Sequence, residues 1–306
     1  MLKDFLGTIE KDASLKELTT WKIGGKARYL TFPTDNRDME ILADFVAREG
    51  LDYFIMGRGS NILVSDDYYD GIVINTTKGF KERTVTGFYG RDVQLYLGAG
   101  NLSSEIMGFC IREGIGGLEF IAGIPASLGG LLKMNAGAFG FEILNFISFI
   151  NVYSLSKGFY TVDKDKLRYG YRYLVLENDS IIVGAGFKLV REDEQVIKKK
   201  VADFISRRRA SQPMDLPSCG SVFKNPEGDY AGRIIEELGL KGYQIGGARI
   251  SEKHANFIVN TGDATAKDVL TLIELIKQKV FLKKGIVLKE EVIYFNINNK
   301  VKATVI

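Results

Sequence analysis

The sequence is poor in the residues that most often build metal sites and disulfide frameworks. Its 306 residues include one histidine, His254, and two cysteines, Cys110 and Cys219. A zinc site made of several histidines is therefore excluded, and two cysteines are too few for a disulfide-stabilised scaffold. We expect no metal ion and a reducing compartment.

Long hydrophobic runs and an excess of one charge are also missing. No segment approaches the roughly 18 apolar residues that span a bilayer, and residues 1–10 lack the apolar core of a signal peptide. The 41 basic and 38 acidic residues give a net charge of +3, unlike the strongly basic surface of a nucleic-acid-binding protein. We therefore expect a cytoplasmic, monomeric protein that binds neither nucleic acid nor membrane.

Length and periodicity indicate two or three domains of mixed α and β structure. Strand-like segments dominate the first 190 residues, and helical spacing is clear over 38–49 and 102–112. The charged segment 191–194 marks the main boundary. A smaller α/β part follows, with helices predicted over 230–238 and 265–283 and strands over 255–260 and 287–297.

A glycine-rich loop lies between two short predicted strands. In Gly57-Arg58-Gly59-Ser60-Asn61 two glycines stand two positions apart, so successive N–H groups can point inward and bind phosphate oxygens. An ordinary tight turn is the alternative. The loop is not a Walker loop, because no Gly-Lys-Ser/Thr sequence follows it.

Two further glycine-rich stretches cover 123–130 and 135–140. Pro125 suits the first turn of a helix, whose N-terminus favours an anion; a packing seam of small residues is the alternative. Together with the earlier loop, they favour one long phosphate-bearing ligand such as a dinucleotide. The Rossmann fingerprint is poorly matched, because Ser103 stands where its third glycine belongs.

Three polar residues are candidates for acid–base chemistry or anion binding. Arg172 lies between Tyr171 and Tyr173, which could hold its guanidinium against a carboxylate; an ordinary surface arginine is the alternative. Ser221 follows a glycine but lacks the Gly-x-Ser-x-Gly elbow of hydrolases. Glu290 and Glu291 point to opposite faces of the last predicted strand, so one of them can face inward with a raised pKa.

The run Arg207 to Arg209 has a simpler interpretation. With a net charge of only +3, we expect a solvated helix end rather than a nucleic-acid patch.

An ordered set of motifs resembles the UDP-N-acetylenolpyruvoylglucosamine reductase family, also called the MurB family. The motifs are TWKIGG (20–25), GRGSNILV (57–64), GIPASLGG (123–130), YR (171–172), GSVFKNP (220–226), AGRII (231–235), GG (246–247), KHANF (253–257) and LKEEV (288–292). The resemblance implies an α+β FAD-binding fold of the vanillyl-alcohol-oxidase type in two subdomains, 1–75 and 76–192. It also implies a smaller α/β substrate-binding domain over 193–306.

The resemblance further implies non-covalent FAD, with NADPH as co-substrate, and reduction of the enolpyruvyl ether of UDP-N-acetylglucosamine. The implied catalytic residues are Ser221, Arg172 and Glu291, and the implied substrate contacts are Asn225, His254 and Lys224. The residues expected at FAD are Gly57, Arg58, Gly59, Ser60, Asn61, Gly123, Ile124, Pro125, Ser127, Gly130, Asn135 and Gly137.

Two departures separate the chain from other members of the family that it resembles. The segment 226–231 leaves no room for the tyrosine-bearing loop of the longer class. Ser211 stands where many relatives have a lysine before the Gln-Pro pair. A flavin oxidase of the same fold, or a non-catalytic nucleotide-sugar binder, is the alternative function.

Overall fold

The computed structural model describes residues 2–296. An exposed tail after Asn296 is expected from the sequence, and it lies outside the described residues. Within them, helices and strands are mixed, which confirms the α+β class. The helices are α1 Asn36–Glu49, α2 Ser103–Glu113, α3 Leu128–Lys133, α4 Glu194–Ser211, α5 Ala231–Glu237 and α6 Ala266–Lys284.

Short strands alternate with these helices along the chain. The first fifteen are β1 Thr8–Ser14, β2 Lys26–Phe32, β3 Tyr53–Met56, β4 Ile62–Val64, β5 Tyr69–Asn75, β6 Arg83–Tyr89, β7 Asp92–Gly98, β8 Ile115–Gly116, β9 Gly137–Ala138, β10 Phe141–Glu142, β11 Ile147–Ser154, β12 Gly158–Asp163, β13 Arg168–Gly170, β14 Tyr173–Val175 and β15 Ser180–Arg191. The others in the described chain are β16 Gln244–Ile245, β17 Ala248–Ile250, β18 Ile258–Asn260 and β19 Ile293–Phe295.

Two sheets organise the first two-thirds of the chain. The first has the order β1-β2-β5-β3, and the second has the order β12-β11-β15-β7-β6, with β8 beside β15. Helix α1 packs against the first sheet through Met39 and Leu42, both fully buried, and against Ile181 of β15. Two hairpins, β9–β10 and β13–β14, stand apart from the large sheet and carry residues of the site described below.

The last third of the chain packs back onto the first sheet region. Trp21 is completely buried and donates from Nε1 to the carbonyl of Ile258 at 2.7 Å, while Asn260 Nδ2 donates to the Trp21 carbonyl at 2.9 Å. Strand β19 pairs in parallel with β4. This pairing places β4, which follows residue 61, directly beside β19, which follows residue 291. The division into 1–75, 76–192 and 193–306 stays a prediction.

Helix ends follow the sequence signals closely. Thr265 and Asp268 form a capping box at the start of α6, with Thr265 Oγ1 accepting from the Asp268 N–H, and Gly285 ends that helix in the left-handed conformation. None of the helices described in residues 2–296 has both the length and the apolar character needed to cross a membrane.

The last predicted strand, 287–297, is wrong in extent. Of its described residues, 287–296, only Ile293–Phe295 forms a strand. The preceding residues instead bond to the loop after Ser221: Lys224 N donates to the Lys289 carbonyl at 2.9 Å, and Glu291 N donates to the Val222 carbonyl at 2.8 Å. Alternating apolar residues predict an extended chain there, but not which neighbour it contacts.

Candidate active site

A cavity of about 740 Å³ lies where the glycine-rich segments 57–61, 123–130 and 135–140 meet the last third of the chain. Its volume is in the range of small-molecule and cofactor sites. Predicted site residues in its wall are Gly57, Arg58, Gly59, Ser60, Asn61, Gly123, Ile124, Pro125, Ser127, Gly130, Gly137, Arg172, Ser221, His254 and Glu291. Residues that are distant in sequence therefore share one surface.

The loop from Gly57 to Asn61 connects β3 to β4. Gly59 has φ +65°, and a Cβ there would lie 2.2 Å from the carbonyl oxygen of Leu18, so only glycine fits. The side-chain amide of Asn75 holds the loop by donating to the Gly57 carbonyl at 3.0 Å. In the described structure, the backbone N–H groups of Arg58, Gly59 and Ser60 donate no hydrogen bond. Three free amides at a cavity wall suit an anion.

Ser127, which lines the same cavity, has a hydroxyl without a hydrogen-bond partner among the described residues. It is the N-cap of α3, but its side chain makes no capping bond. It is 1% exposed, and its Oγ is buried without a partner among the described residues. Buried hydroxyls are normally hydrogen-bonded, and an unpaired one costs stability. A polar group of a ligand would satisfy this hydroxyl.

Arg172 lies at the two-residue turn between β13 and β14. Its backbone φ of +62° is left-handed, a conformation that residues other than glycine seldom adopt and that costs on the order of 1 kcal/mol. The strained turn directs the guanidinium inward, where Nη2 donates to the Gly137 carbonyl at 3.0 Å and Nε donates to Glu291 Oε1 at 2.7 Å. Hairpin β9–β10 and the C-terminal segment thus hold the arginine rigidly.

The two adjacent glutamates differ sharply in environment, as the sequence predicts. Glu290 pairs on the surface with Lys277 at 2.7 Å. The Glu291 side chain is only 16% exposed and faces the cavity. Burial raises the pKa of Glu291 above its ordinary value, and the nearby charges of Arg172 and Lys224 only partly oppose that shift. Glu291 therefore takes up a proton more readily than an exposed glutamate.

Ser221 is positioned by two segments that are remote in sequence. The next residue, Val222, donates its N–H to the Asn256 carbonyl and accepts the N–H of Glu291, both at 2.8 Å. Asn256 also accepts from the Phe223 N–H through Oδ1 at 2.9 Å. The half-buried serine therefore cannot shift relative to Glu291 without breaking these bonds.

His254 enters the cavity wall in a defined protonation state. Its Nδ1 accepts the backbone N–H of Asn256 at 3.2 Å. Burial, followed by repulsion from Lys241, lowers the pKa of His254 below its ordinary value. The ring is therefore neutral at neutral pH, and Nε2 carries the proton.

Three predicted site residues do not line this cavity. Asn135 is fully buried, and its side chain is committed to Glu142, Gly170 and Leu144; it ties the two hairpins together. Asn225 accepts the Ala231 N–H at the start of α5. Lys224 acts on Glu291 through its charge. Direct ligand contact by these three stays a prediction.

The expected solvated end of α4 is wrong at Arg208. Arg207 and Arg209 are exposed, but Arg208 is 7% exposed and lines the cavity. A signal is present in the sequence, because positions 201, 204, 205 and 208 fall on one face at helical spacing. The preceding apolar residues of that face pack against the large sheet's core, which draws Arg208 inside.

Within residues 2–296, no three histidine, cysteine, aspartate or glutamate side chains lie close enough to hold a metal ion. Both cysteines are free and buried. Burial raises the pKa of Cys110 to about 12. Cys219, two residues before Ser221, also has a raised pKa and donates to the Ile62 carbonyl at 3.4 Å. The thiols are therefore unreactive packing groups.

Two family models match the chain. Residues 27–153 match an FAD-binding domain, and residues 212–295 match the C-terminal domain of UDP-N-acetylenolpyruvoylglucosamine reductase. The cavity lies between residues of these two segments.

Whole-chain comparisons agree with the family models. A UDP-N-acetylenolpyruvoylglucosamine reductase from Halalkalibacterium halodurans is 42% identical over 90% of each chain. One from Desulforamulus reducens is 39% identical over 94% of this chain and 93% of its own. The crystal structure of the reductase from Thermus caldophilus superimposes with a TM-score of 0.81 at 32% identity, covering 95% of this chain and all of that one. With these identities over nearly its whole length, the chain belongs to the UDP-N-acetylenolpyruvoylglucosamine reductase family.

Proposed function

We propose that this protein reduces the enolpyruvyl ether of UDP-N-acetylglucosamine to UDP-N-acetylmuramate, a step of peptidoglycan precursor synthesis, with FAD as its cofactor and NADPH as its reductant. The observation that carries the proposal is the meeting of Arg172, Glu291 and Ser221 in the wall of one cavity. That meeting occurs in a chain 42% identical to a reductase of this name.

The residues of the cavity fit FAD. Three free backbone amides at Arg58, Gly59 and Ser60, together with the unpaired Ser127 hydroxyl, are donors suited to phosphate oxygens. Gly130 lines the cavity, and the nearest atom to a Cβ there would be Ser127 Oγ at 3.7 Å, so its missing side chain would let a flat ring system approach the backbone. We infer that the FAD is held non-covalently, because the only histidine, His254, lies in the last third of the chain and outside the segment that matches an FAD-binding domain.

Bound FAD would supply the hydride, which it receives from NADPH and delivers to C3 of the enolpyruvyl group. Negative charge then develops at C2 and spreads into the substrate carboxylate. Arg172 is placed to hold that carboxylate, because its fork is fixed by Gly137 and Glu291. A charge already fixed in place where negative charge develops usually accelerates a reaction more than any other single effect.

Ser221 would complete the reaction by giving its hydroxyl proton to C2. A free serine is a very weak acid, but the C2 carbanion is a strong base. Glu291, whose pKa is raised by burial, would carry a proton and donate a hydrogen bond to the enolate. The hydrogen bond between the backbones of Val222 and Glu291 keeps Ser221 and Glu291 in a fixed relative position.

The substrate half of the cavity is formed by the last third of the chain. His254 would donate from Nε2 to the nucleotide sugar, and the exposed Tyr230 lines the same wall. Asn225 and Lys224 would assist from just outside that wall. All these residues come from one chain, so a monomer is sufficient for the reaction. We propose that it acts on these small molecules in the cytoplasm.

The direct test measures NADPH oxidation by purified protein under nitrogen, with and without the enolpyruvyl UDP-sugar. Oxidation that depends on the sugar, with one lactyl ether formed per NADPH, supports the proposal. A flavin-containing protein that ignores the sugar under nitrogen, and that consumes oxygen when the assay is repeated in air, would indicate an oxidase of the same fold. A protein that contains no flavin would indicate a nucleotide-sugar binder.

A further inference from the structure

Arg208 is a buried cation without a carboxylate partner. Its Nε donates to the Ala122 carbonyl at 2.9 Å and its Nη2 donates to the Phe120 carbonyl at 3.0 Å. In the described part of the chain, no carboxylate pairs with it and Nη1 makes no hydrogen bond. Its neighbour Arg207, by contrast, is exposed and pairs with Asp203 at 2.9 Å.

The charge of Arg208 persists despite its burial. Burial lowers the pKa of Arg208 to about 10, so the guanidinium is still protonated at neutral pH. Carbonyl dipoles satisfy two of its donors but do not neutralise it. A buried charge is tolerated when a counter-charge faces it, and this side chain lines the cavity. The structure thus places a positive charge in the wall of the cavity.

The surroundings of Arg208 identify the part of the cavity that it serves. A Cβ on Gly123 would lie 3.1 Å from Arg208 Cδ, so the side chain runs directly beneath the turn from Gly123 to Pro125. The Phe139 ring, on the hairpin that carries Gly137, is centred 5.3 Å from the guanidinium carbon. Both neighbours belong to the glycine-rich wall rather than to the wall around His254.

We propose that Arg208 binds an anionic group of the FAD, either its diphosphate or the pyrimidine edge of the reduced flavin. This inference rests on the proposed function and adds a residue that sequence patterns assign to a solvated helix end. Because α4 begins the last third of the chain, the contact would also couple cofactor binding to the placement of the substrate half.

The test compares Arg208→Gln and Arg208→Lys with Arg207→Gln as the matched control on the same helix. FAD is removed, and three quantities are measured: the FAD dissociation constant by flavin fluorescence, the thermal midpoint of the apoprotein, and the midpoint potential of the bound flavin. These measurements need no substrate, so they stand apart from any failure of the reductase assay.

The expected result is a tenfold or larger loss of FAD affinity or a lower midpoint potential in Arg208→Gln. The thermal midpoint of the apoprotein should change little, because removal of an unpaired buried charge offsets the loss of the two bonds to the carbonyls of Phe120 and Ala122. The FAD affinity and midpoint potential of Arg208→Lys should lie between those of the wild type and Arg208→Gln. Arg207→Gln should match the wild type in both quantities.

The FAD dissociation constant and the midpoint potential together show which part of FAD carries the negative charge that Arg208 binds. Equal loss of affinity for oxidised and reduced FAD, with an unchanged potential, identifies the diphosphate. A lower potential identifies the flavin, because a lost cation destabilises the reduced anion.

Two outcomes would overturn the proposal. One is an FAD affinity and a potential both within twofold of wild type. The other is an apoprotein that melts lower or fails to fold in both Arg208 variants, since Arg208 would then only brace the turn at 120–123.

Discussion

Arg172 and Glu291 lie 119 residues apart in the sequence, yet the Nε of one donates to the carboxylate of the other at 2.7 Å. Both side chains are less than one-fifth exposed. The pair joins the strained turn of hairpin β13–β14 to the segment before β19. It therefore links this hairpin to the segment of the chain that matches the C-terminal domain of the reductase family.

Replacing Ser221 by alanine should separate the two halves of the reaction. Flavin reduction by NADPH should proceed at the wild-type rate, because Ser221 has no role in it. Reoxidation by the enolpyruvyl sugar should slow by about 10²–10⁴-fold, the range for losing a positioned acid. Stopped-flow absorbance of the flavin measures both steps. An unchanged reoxidation rate would remove Ser221 from the mechanism.

Replacing Arg172 by alanine should slow the same half-reaction. The variant loses the fork proposed to hold the substrate carboxylate, and it leaves Glu291 buried without its partner. We expect a loss of at least about 10²-fold in reoxidation, with NADPH reduction largely retained. Single-turnover kinetics test this. Normal reoxidation in Arg172→Ala would place the carboxylate elsewhere.

The pH dependence of reoxidation should report on Glu291. Its folded-state pKa is raised above the ordinary 4.5, so the protonated form persists to higher pH than in an exposed glutamate. If that form assists, the rate falls as pH rises through the raised pKa. Glu291→Gln mimics the protonated acid and should flatten this limb.

Glu290→Gln is the matched control, because Glu290 pairs with Lys277 on the surface. It should keep both the rate and the pH limb within twofold. A limb that persists unchanged in Glu291→Gln would contradict the assignment to Glu291.

Ser127→Ala tests the cofactor half of the cavity. A hydrogen bond is worth a net ~0.5–1.5 kcal/mol, so the FAD dissociation constant should rise roughly two- to tenfold. The free energy of unfolding of the apoprotein should stay equal or increase, because the lost hydroxyl has no partner in the described structure. Chemical denaturation and FAD titration give both numbers.

Ser103→Ala provides the contrast, since the buried Ser103 Oγ donates to the Ile124 carbonyl. That variant should lower apoprotein stability by about 1 kcal/mol. If Ser127→Ala behaved in the same way, its hydroxyl would be structural and not a ligand for FAD.

Local signals in the sequence predict much of the fold. Helices α1 and α6 begin and end within two residues of their predicted bounds, and strands β3 and β4 flank the loop from Gly57 to Asn61 as predicted. These elements depend on apolar spacing and on caps, which are properties of neighbouring residues. The glycine-rich loops are recognisable for the same reason, because the spacing of their glycines is visible in the local sequence.

Such local signals do not predict contacts between residues that are distant in sequence. The segment 287–292 has an alternating pattern typical of a strand, but its partner is the loop after Ser221. The sequence predicts Asn135 at the cofactor, but it does not reveal that the side chain of Asn135 joins two hairpins. Charge alone places Arg208 in solvent, whereas the packing of its helix face buries it. In each case the deciding neighbour is more than six residues away in sequence.

The pKa of His254 predicts how stability changes with acid. The folded-state pKa lies below the ordinary 6.5, because burial and Lys241 disfavour the charged ring. A group with a lowered folded pKa contributes stability that is complete above its unfolded value and is lost as the pH falls through its folded value. Protonation also breaks the bond from the Asn256 N–H to Nδ1, and Asn256 in turn holds the loop after Ser221.

The free energy of unfolding of the wild type should therefore decrease as the pH is lowered below the ordinary histidine pKa of 6.5. His254→Gln should lack this part of the decrease, because an amide does not titrate, and the difference between the two urea-denaturation curves isolates the histidine. Lys241→Gln should reduce the slope by removing the repulsive charge. Parallel curves for wild type and His254→Gln would mean that His254 titrates equally in the folded and unfolded states, and that its neutral form does not hold this loop.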